Sequence, residues 1–272
     1  MSLDSPLLWR RRVLAAASEA TTGTPATLNA AAGAMNVLNH ELDEDSPFND
    51  RPGQGSLTHL APVHGEEGGH ANFAVEIAND GATNSPLWAT TLLAGCGMVG
   101  ASGVYSPSTG AQTTLTIGLY NDGRLKQIAG SQGTWVAKLV DGKIGMLDFK
   151  FLGKWVAPTS VAMIAPTYPT VLPPKCTGLT CTIGGTSYRL SEIEIDYGAT
   201  VTLRRDITDA SGYHAAFIVD RKTLIKVDPE ALPLSTQDWY GLRAAGEFDA
   251  TYLFRLVRVG ARPKCASTEP LA

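Results

Sequence analysis

QTTLTIGLYNDGRLKQIAGSQGTWVAKLVDGKIGMLDFKFLG, residues 112–153, is the stretch that decides the fold. Leu115, Ile117 and Leu119 alternate with polar or small residues, the period of a half-buried strand. Asn121-Asp122-Gly123 then supplies turn chemistry, because glycine reaches positive φ without steric cost. Trp135, Ala137 and Leu139 alternate next, and Asp141-Gly142 turns the chain into a further strand over residues 144–152. Three strands joined by short turns make an antiparallel meander.

Upstream, residues 71–78 place Phe73, Val75 and Ile77 on one face and Asn72, Ala74 and Glu76 on the other. A helix is expected over residues 86–95. Ser85 suits the N-cap, Pro86 suits the first turn, and Leu87, Trp88, Thr91, Leu92 and Leu93 give a broad apolar face that Gly95 and Gly97 end. Residues 7–20 read as a short helix stopped at Thr21-Thr22-Gly23-Thr24-Pro25, and residues 43–70 read as a long polar loop. Long structureless loops are usually functional, which makes this one a candidate contact with a neighbouring subunit.

Downstream, residues 158–175 are rich in proline and form the best internal boundary. Strands follow at residues 180–183, 187–197, 200–207 and 213–220, with a short helix over 236–245 and a last strand over 248–259. The expected organisation is therefore an N-terminal arm and loop (1–70), a first β-rich half (71–157), the proline-rich connection, a second β-rich half (176–260) and a C-terminal tail (261–272).

Composition narrows the function. The chain has 272 residues, a formal charge of −4, 28 glycines and 16 prolines, which fits many short strands and argues against a general nucleic-acid binder. No apolar run is long enough to span a membrane as a helix. Arg10, Arg11 and Arg12 follow the apolar Leu7-Leu8-Trp9 instead of preceding it, so the start does not read as an export signal. The scattered Cys96, Cys176, Cys181 and Cys265 then read as free thiols.

Catalytic motifs are missing: there is no G-x-S-x-G, Walker A or H-E-x-x-H pattern. Gly95-Cys96-Gly97-Met98-Val99-Gly100 matches G-x-G-x-x-G, but it follows a helix where a dinucleotide site needs it to open one. His59, His64 and His70, with Glu66 and Glu67, are the one cluster with metal-ligand chemistry; Gly65, Gly68 and Gly69 make it a solvated or interface loop instead, with no metal or cofactor expected. Glu192, Glu194 and Asp196 alternate with Ile193, Ile195 and Tyr197, so three carboxylates share one strand face.

Taken in order, the landmarks resemble the phage tail tube protein family, in particular the tube subunits of long-tailed bacteriophages. Residues 14–25 (LAAASEATTGTP) resemble its opening, and residues 85–97 (SPLWATTLLAGCG) with the preceding Phe73-Ala74-Val75-Glu76-Ile77 resemble its strand and helix. Tyr105-Ser106-Pro107, Gly130-Ser131-Gln132-Gly133, residues 149–153 (FKFLG), residues 191–205 (SEIEIDYGATVTLRR), the stretch from Gly212-Tyr213 to Asp220-Arg221, and Asp228-Pro229-Glu230-Ala231 complete the order. The likeness covers about residues 7–260; Ala199, where the family has Asn, and the opening arginine triplet are departures.

The resemblance implies a mainly β fold: a β-sandwich or barrel with short flanking helices, whose inner strands pool with those of five neighbours into a closed barrel in a hexameric ring. It implies no enzyme activity. Its partners would be copies of itself, a tape measure protein, a tail terminator, baseplate or tip proteins, a sheath protein where the tail contracts, and double-stranded DNA passing without specific binding. Such a subunit is made in the host cytoplasm and ends in the virion tail. Glu192, Glu194 and Asp196 become candidate lumen-facing residues, and Asp50, Arg51, His64, Glu66 and Glu67 a candidate ring-stacking loop. The rival readings are a tail terminator or head–tail connector, and, from another class, a β-sandwich enzyme or sugar-binding module using the His-rich loop.

Overall fold

In the computed structural model, Asp122 and Gly123 have φ of 46° and 97°, the pair of positive values a two-residue hairpin turn requires. The described residues are 10–241 apart from 56, 82–84, 102, 111, 179–180, 184–185, 231–232, 234–237 and 239. They contain sixteen strands: β1 (Arg12–Ser18), β2 (Val37–Asp45), β3 (Phe48–Arg51), β4 (Leu60–His64), β5 (Gly68–Glu76), β6 (Met98–Ala101), β7 (Val104–Pro107), β8 (Leu115–Asn121), β9 (Arg124–Val140), β10 (Met146–Ser160), β11 (Cys181–Ile183), β12 (Thr186–Tyr188), β13 (Leu190–Asp196), β14 (Ala199–Arg205), β15 (Tyr213–Arg221) and β16 (Leu224–Pro229). The expected helix 236–245 and last strand 248–259 lie almost wholly outside the described residues.

The molecule is mainly β. Its main sheet runs β1-β8-β9-β10-β5-β2, with β13 paired to β9 and β16 to β13. The 17-residue β9 makes this branching: its first part pairs with β8, its last part, Val136 to Val140, with β13. Gly130, at φ +58°, sits where the β8–β9 register shifts, and a Cβ on it would lie 2.9 Å from Ala215 Cβ. The strands on either side of the proline-rich segment therefore share one sheet. β10 itself runs into that segment as far as Ser160, and its register with β9 shifts between Val156 and Thr159, where Pro158 has no N–H to give the ladder.

The core sits under this sheet. Phe73, Phe149 and Phe151 stack at centroid distances of 5.8–5.9 Å, against Leu115, Ile117, Ile128 and Leu92. The helix forms as expected in place, as a π-helical stretch Trp88–Leu92 running into Leu93–Gly95. Its Leu92 and Ala89 are fully buried, and Trp88 donates from Nε1 to the Ala78 carbonyl at 2.7 Å. A Cβ on Gly95 would meet Leu115 at 2.4 Å, so glycine is what lets the helix end lie on β8. The β14–β15 hairpin forms a second layer, tied to β9 by Ile218 N–H to Gln132 Oε1 (2.9 Å) and Ala199 N–H to Thr134 Oγ1 (3.1 Å).

Two expectations are corrected. The helix expected within residues 7–20 is strand β1, registered with β8 from Arg12↔Asn121 to Ser18↔Leu115. Leu14 and Ala16 enter the main core, while Ala15 enters a second cluster with Leu28, Tyr120 and Leu125. A strand covered on both sides needs small residues, and tertiary packing overrides the helix propensity of alanine. Residues 43–70 are likewise not a structureless loop. They hold the end of β2, the β3–β4 hairpin and the start of β5. Gly68 and Gly69, read as loop residues, are strand residues in tight contact; a Cβ on Gly69 would meet Ile128 at 2.8 Å.

Candidate functional site

Every residue of β3 and β4 is exposed. The hairpin is an arm, and it is not merely polar: Phe48 is 65% exposed, Leu57 fully so, and Leu60 and Val63 are each 52% exposed. Phe48 packs edge-on against the His64 ring, while Leu57, Leu60 and Val63 stand exposed on the same hairpin, and exposed apolar side chains gathered on one element mark interaction sites. Sequence reading found the segment but missed this feature, since single apolar residues spaced through a Gly/Pro-rich stretch give no periodic signal. Asp50 and Arg51 lie on β3, both exposed, as the arm's charged residues.

The other three stacking candidates lie at the arm's base. His64 ends β4, with Nε2 3.2 Å from Glu44 Oε1 on β2 and Nδ1 3.6 Å from Glu67 Oε1. Glu66 faces Arg205 at 3.5 Å. The Glu67 backbone is fixed from both sides: its N–H donates to the Ser211 carbonyl and its carbonyl accepts from Trp155 N–H. Next along, His70 Nδ1 lies 2.5 Å from Asp45 Oδ2. His64 and His70 thus engage different carboxylates, and no group of three or more His, Cys, Asp or Glu converges on a metal position among the described residues.

The base rests on the loop 206–212, which is itself built to be stiff. Asp206 Oδ1 accepts from the Thr208 N–H and hydroxyl, and Asp209 Oδ1 from those of Ser211. Lys154 Nζ donates to Asp209 Oδ2 at 2.8 Å. Burial pushes the Asp209 carboxyl up, but the bonds from Lys154 and Ser211 and the lysine's charge outweigh it and hold the group at about 2.

The strand β13 carries the acidic candidates on its wet face, opposite the buried Ile193 and Tyr197. The sheet around them changes their meaning. Glu194 lies in register with Lys138 of β9 on one side and Lys226 of β16 on the other, and its Oε1 accepts from Lys226 Nζ at 2.6 Å. That hydrogen bond, against some desolvation and with the charges of Lys226 and Lys138 assisting, lowers the Glu194 carboxyl below its usual range. Lys138 also bonds Asp148 of β10 at 2.6 Å. Asp196 Oδ1 accepts from the Gly198 N–H at 2.9 Å and so holds the turn into β14. The three carboxylates share one strand face, and the sheet adds Lys138 and Lys226 beside them, so the face is a row of alternating charges with an acidic excess. The cross-strand partners Lys138 and Lys226 are 56 and 32 positions away in sequence and invisible without the register.

A cleft of ≈ 400 Å³ opens between β2 and the β8–β9 hairpin with the start of β1, lined by Arg12, His40, Asp43, Asn121, Arg124 and Lys126 among others. Lys126 is held by Asp43 at 2.6 Å, and burial followed by the charge of Arg12 lowers the His40 imidazole. Nothing in the cleft pairs a nucleophile with a base. Gly95 ends the helix and Cys96-Gly97 follow it; Cys96 is buried there, its thiol pushed well up by burial. Cys96 and Cys176 are free and buried. No helix among the described residues is long and apolar enough to cross a membrane. Compared with known proteins, the chain matches no family model and no curated relative.

Proposed function

We propose that the chain is a structural virion protein, the tail tube subunit of a long-tailed bacteriophage, stacking as hexameric rings into a hollow tube through which DNA is delivered. The observation that carries this reading is the projecting β3–β4 arm with Phe48, Leu57, Leu60 and Val63 exposed. A hairpin of that kind costs solubility unless another surface covers it, and in a self-stacking subunit the next ring does so.

Two further features support it. β1 and β2 end the main sheet path with no second strand partner among the described residues, and such edges seek partners. Pairing them through neighbours would pool the sheets into one barrel. The charged face of β9, β10, β13 and β16 would then have a place to lie: wet, acidic in excess, and with Lys138 and Lys226 already engaged by carboxylates, so that passing phosphate finds few cations to grip.

Negative-stain microscopy of the concentrated full-length protein tests the reading. Hollow tubes with a regular axial repeat are expected. Single rings that never stack would make it a terminator or connector, and persistent monomers would remove the assembly reading altogether.

A further inference from the structure

The two ends of the main sheet path, β1 and β2, approach each other, and the ≈ 400 Å³ cleft lies where β2 faces the start of β1 and the β8–β9 hairpin. A bulge sets its shape. Between Leu38↔Ala74 and Glu41↔Asn72, β2 spends two residues, Asn39 and His40, opposite the single Phe73 of β5. Asn39 takes φ of 50°, a left-handed conformation that asparagine tolerates and most residues avoid. The extra residue moves the core face of β2 from Val37 to Leu42 and brings the His40 ring to the cleft. Strained bulges of this kind gather at functional sites.

Two polar atoms in the cleft wall, His40 Nε2 and Asn121 Oδ1, are buried without a hydrogen-bond partner among the described residues. Atoms so placed cost free energy until something bonds them. The charges are also out of balance. Arg12, Arg124 and Lys126 face two carboxylates, Glu41 and Asp43. Lys126 and Asp43 pair at 2.6 Å, and Glu41 Oε2 accepts from Asn72 Nδ2 on the β5 side at 3.5 Å. Asp122, the acid nearest Arg124 in sequence, is held by Arg11 at 2.7 Å. The floor is apolar, made by the buried Leu42 and Leu119.

We propose that this cleft is a binding site for a single carboxylate carried on an apolar body, with a hydrogen-bond donor beside it. Arg12 and Arg124 take the carboxylate, Leu42 and Leu119 the apolar body, and Asn121 Oδ1 the donor. His40 Nε2 gives or receives a further bond according to its tautomer. One excess positive charge matches one carboxylate, whereas a phosphate dianion would meet Asp43 and Glu41 as like charges. The volume lies within the range of small-ligand pockets. The site belongs to the single subunit and goes beyond the stacking role given to the arm. A free hydroxy acid and a glutamate side chain of another protein both offer this chemistry, and titration tells them apart.

The probes are para-hydroxyphenylacetate, for the free acid, and the blocked dipeptide acetyl-Leu-Glu-amide, for the protein side chain. Each is titrated into the full-length chain, with affinity read by calorimetry and contact by the NMR resonances of the His40 ring, assigned with His40→Gln. Saturable binding with a Kd on the order of 0.1–1 mM and a shift of the His40 resonances are expected from at least one of them. A preference of about tenfold or more names the source. The neutral para-hydroxyphenylacetamide should bind about tenfold or more weakly than its acid. Arg12→Gln should weaken binding by about tenfold or more, and Arg124→Gln, at an exposed position, several-fold. If Arg12→Gln does not fold, Arg124→Gln carries the same readout. No saturation by either probe up to about 20 mM overturns the proposal, as does binding that is indifferent to the amide and to both arginine variants. These outcomes are read on the subunit, so a failed site leaves the tube reading standing, and failed tubes leave the site.

Discussion

At the residue scale, the side chains with the clearest duties are those that fix one piece of chain to another. Asp209 is one: Lys154 and Ser211 hold its carboxyl at about 2, below the usual aspartate range near 3.9. A depressed folded value means stability that is present above the unfolded value and lost as pH falls through the folded one. The side chain is 24% exposed, so the contribution is discounted to about 1–2 kcal/mol. Asp209→Asn should be less stable than wild type by that amount near neutral pH, by urea unfolding, and the difference should shrink as pH drops towards 2. A constant difference across that range would mean the carboxylate's charge is not what matters. Leu92 is the apolar counterpart. It is fully buried against the phenylalanine stack, and Leu92→Ala should cost roughly 2–5 kcal/mol through the cavity it leaves. A loss under about 0.5 kcal/mol would remove this helix from the core.

At the element scale, what the sequence made legible was what depends on local period and turn chemistry. The meander of β8, β9 and β10 was readable because Asn121-Asp122-Gly123 and Asp141-Gly142 punctuate alternating runs, and the helix because its apolar face is broad and ends in glycine. What stayed hidden depends on distant partners. The alanines of β1 look helical until β8 and the cluster around Leu28 are in place, and Gly68 and Gly69 look like a loop until Leu203 crowds the first and Ile128 and Trp155 the second. The site followed the same rule: the positions of His64, Glu66 and Glu67 could be singled out, while the pairing of His64 with Glu44 could not. The arm gives the test at this scale. Pro47 and Gly65 already share a hydrogen bond, so replacing residues 48–64 with a two-residue Asn-Gly turn closes a gap the fold has brought together. The shortened protein should keep its thermal unfolding midpoint within a few degrees and fail to form tubes in negative stain. Tubes of normal length from it would take stacking away from the arm.

At the scale of the whole molecule, the proposed tube raises the question of where the charged sheet face would point in it. Lys138, Glu194 and Lys226 stand in register across β9, β13 and β16, and Glu192 is exposed two residues along, beside Val140. In a ring of six these groups would recur around a pore, where a low-dielectric wall focuses their field inward; on the outside of a tube, bulk water and salt would screen them. Charge reversal separates the two. Glu192→Lys with Glu194→Lys leaves Asp196, which is needed at Gly198, but places an ammonium between Lys138 and Lys226, so some effect on the subunit itself is built in. The exchange Glu194→Lys with Lys226→Glu is the control, since it rewrites the same pair and conserves the net charge. On a luminal face, phage carrying the first variant should assemble full tails yet eject DNA several-fold more slowly, because phosphate now meets unpaired cations on its way. Phage carrying the exchange should eject at the ordinary rate. If both eject alike from intact tubes, the face lies on the exterior, and the acidic excess of β13 does nothing more than keep the tube soluble.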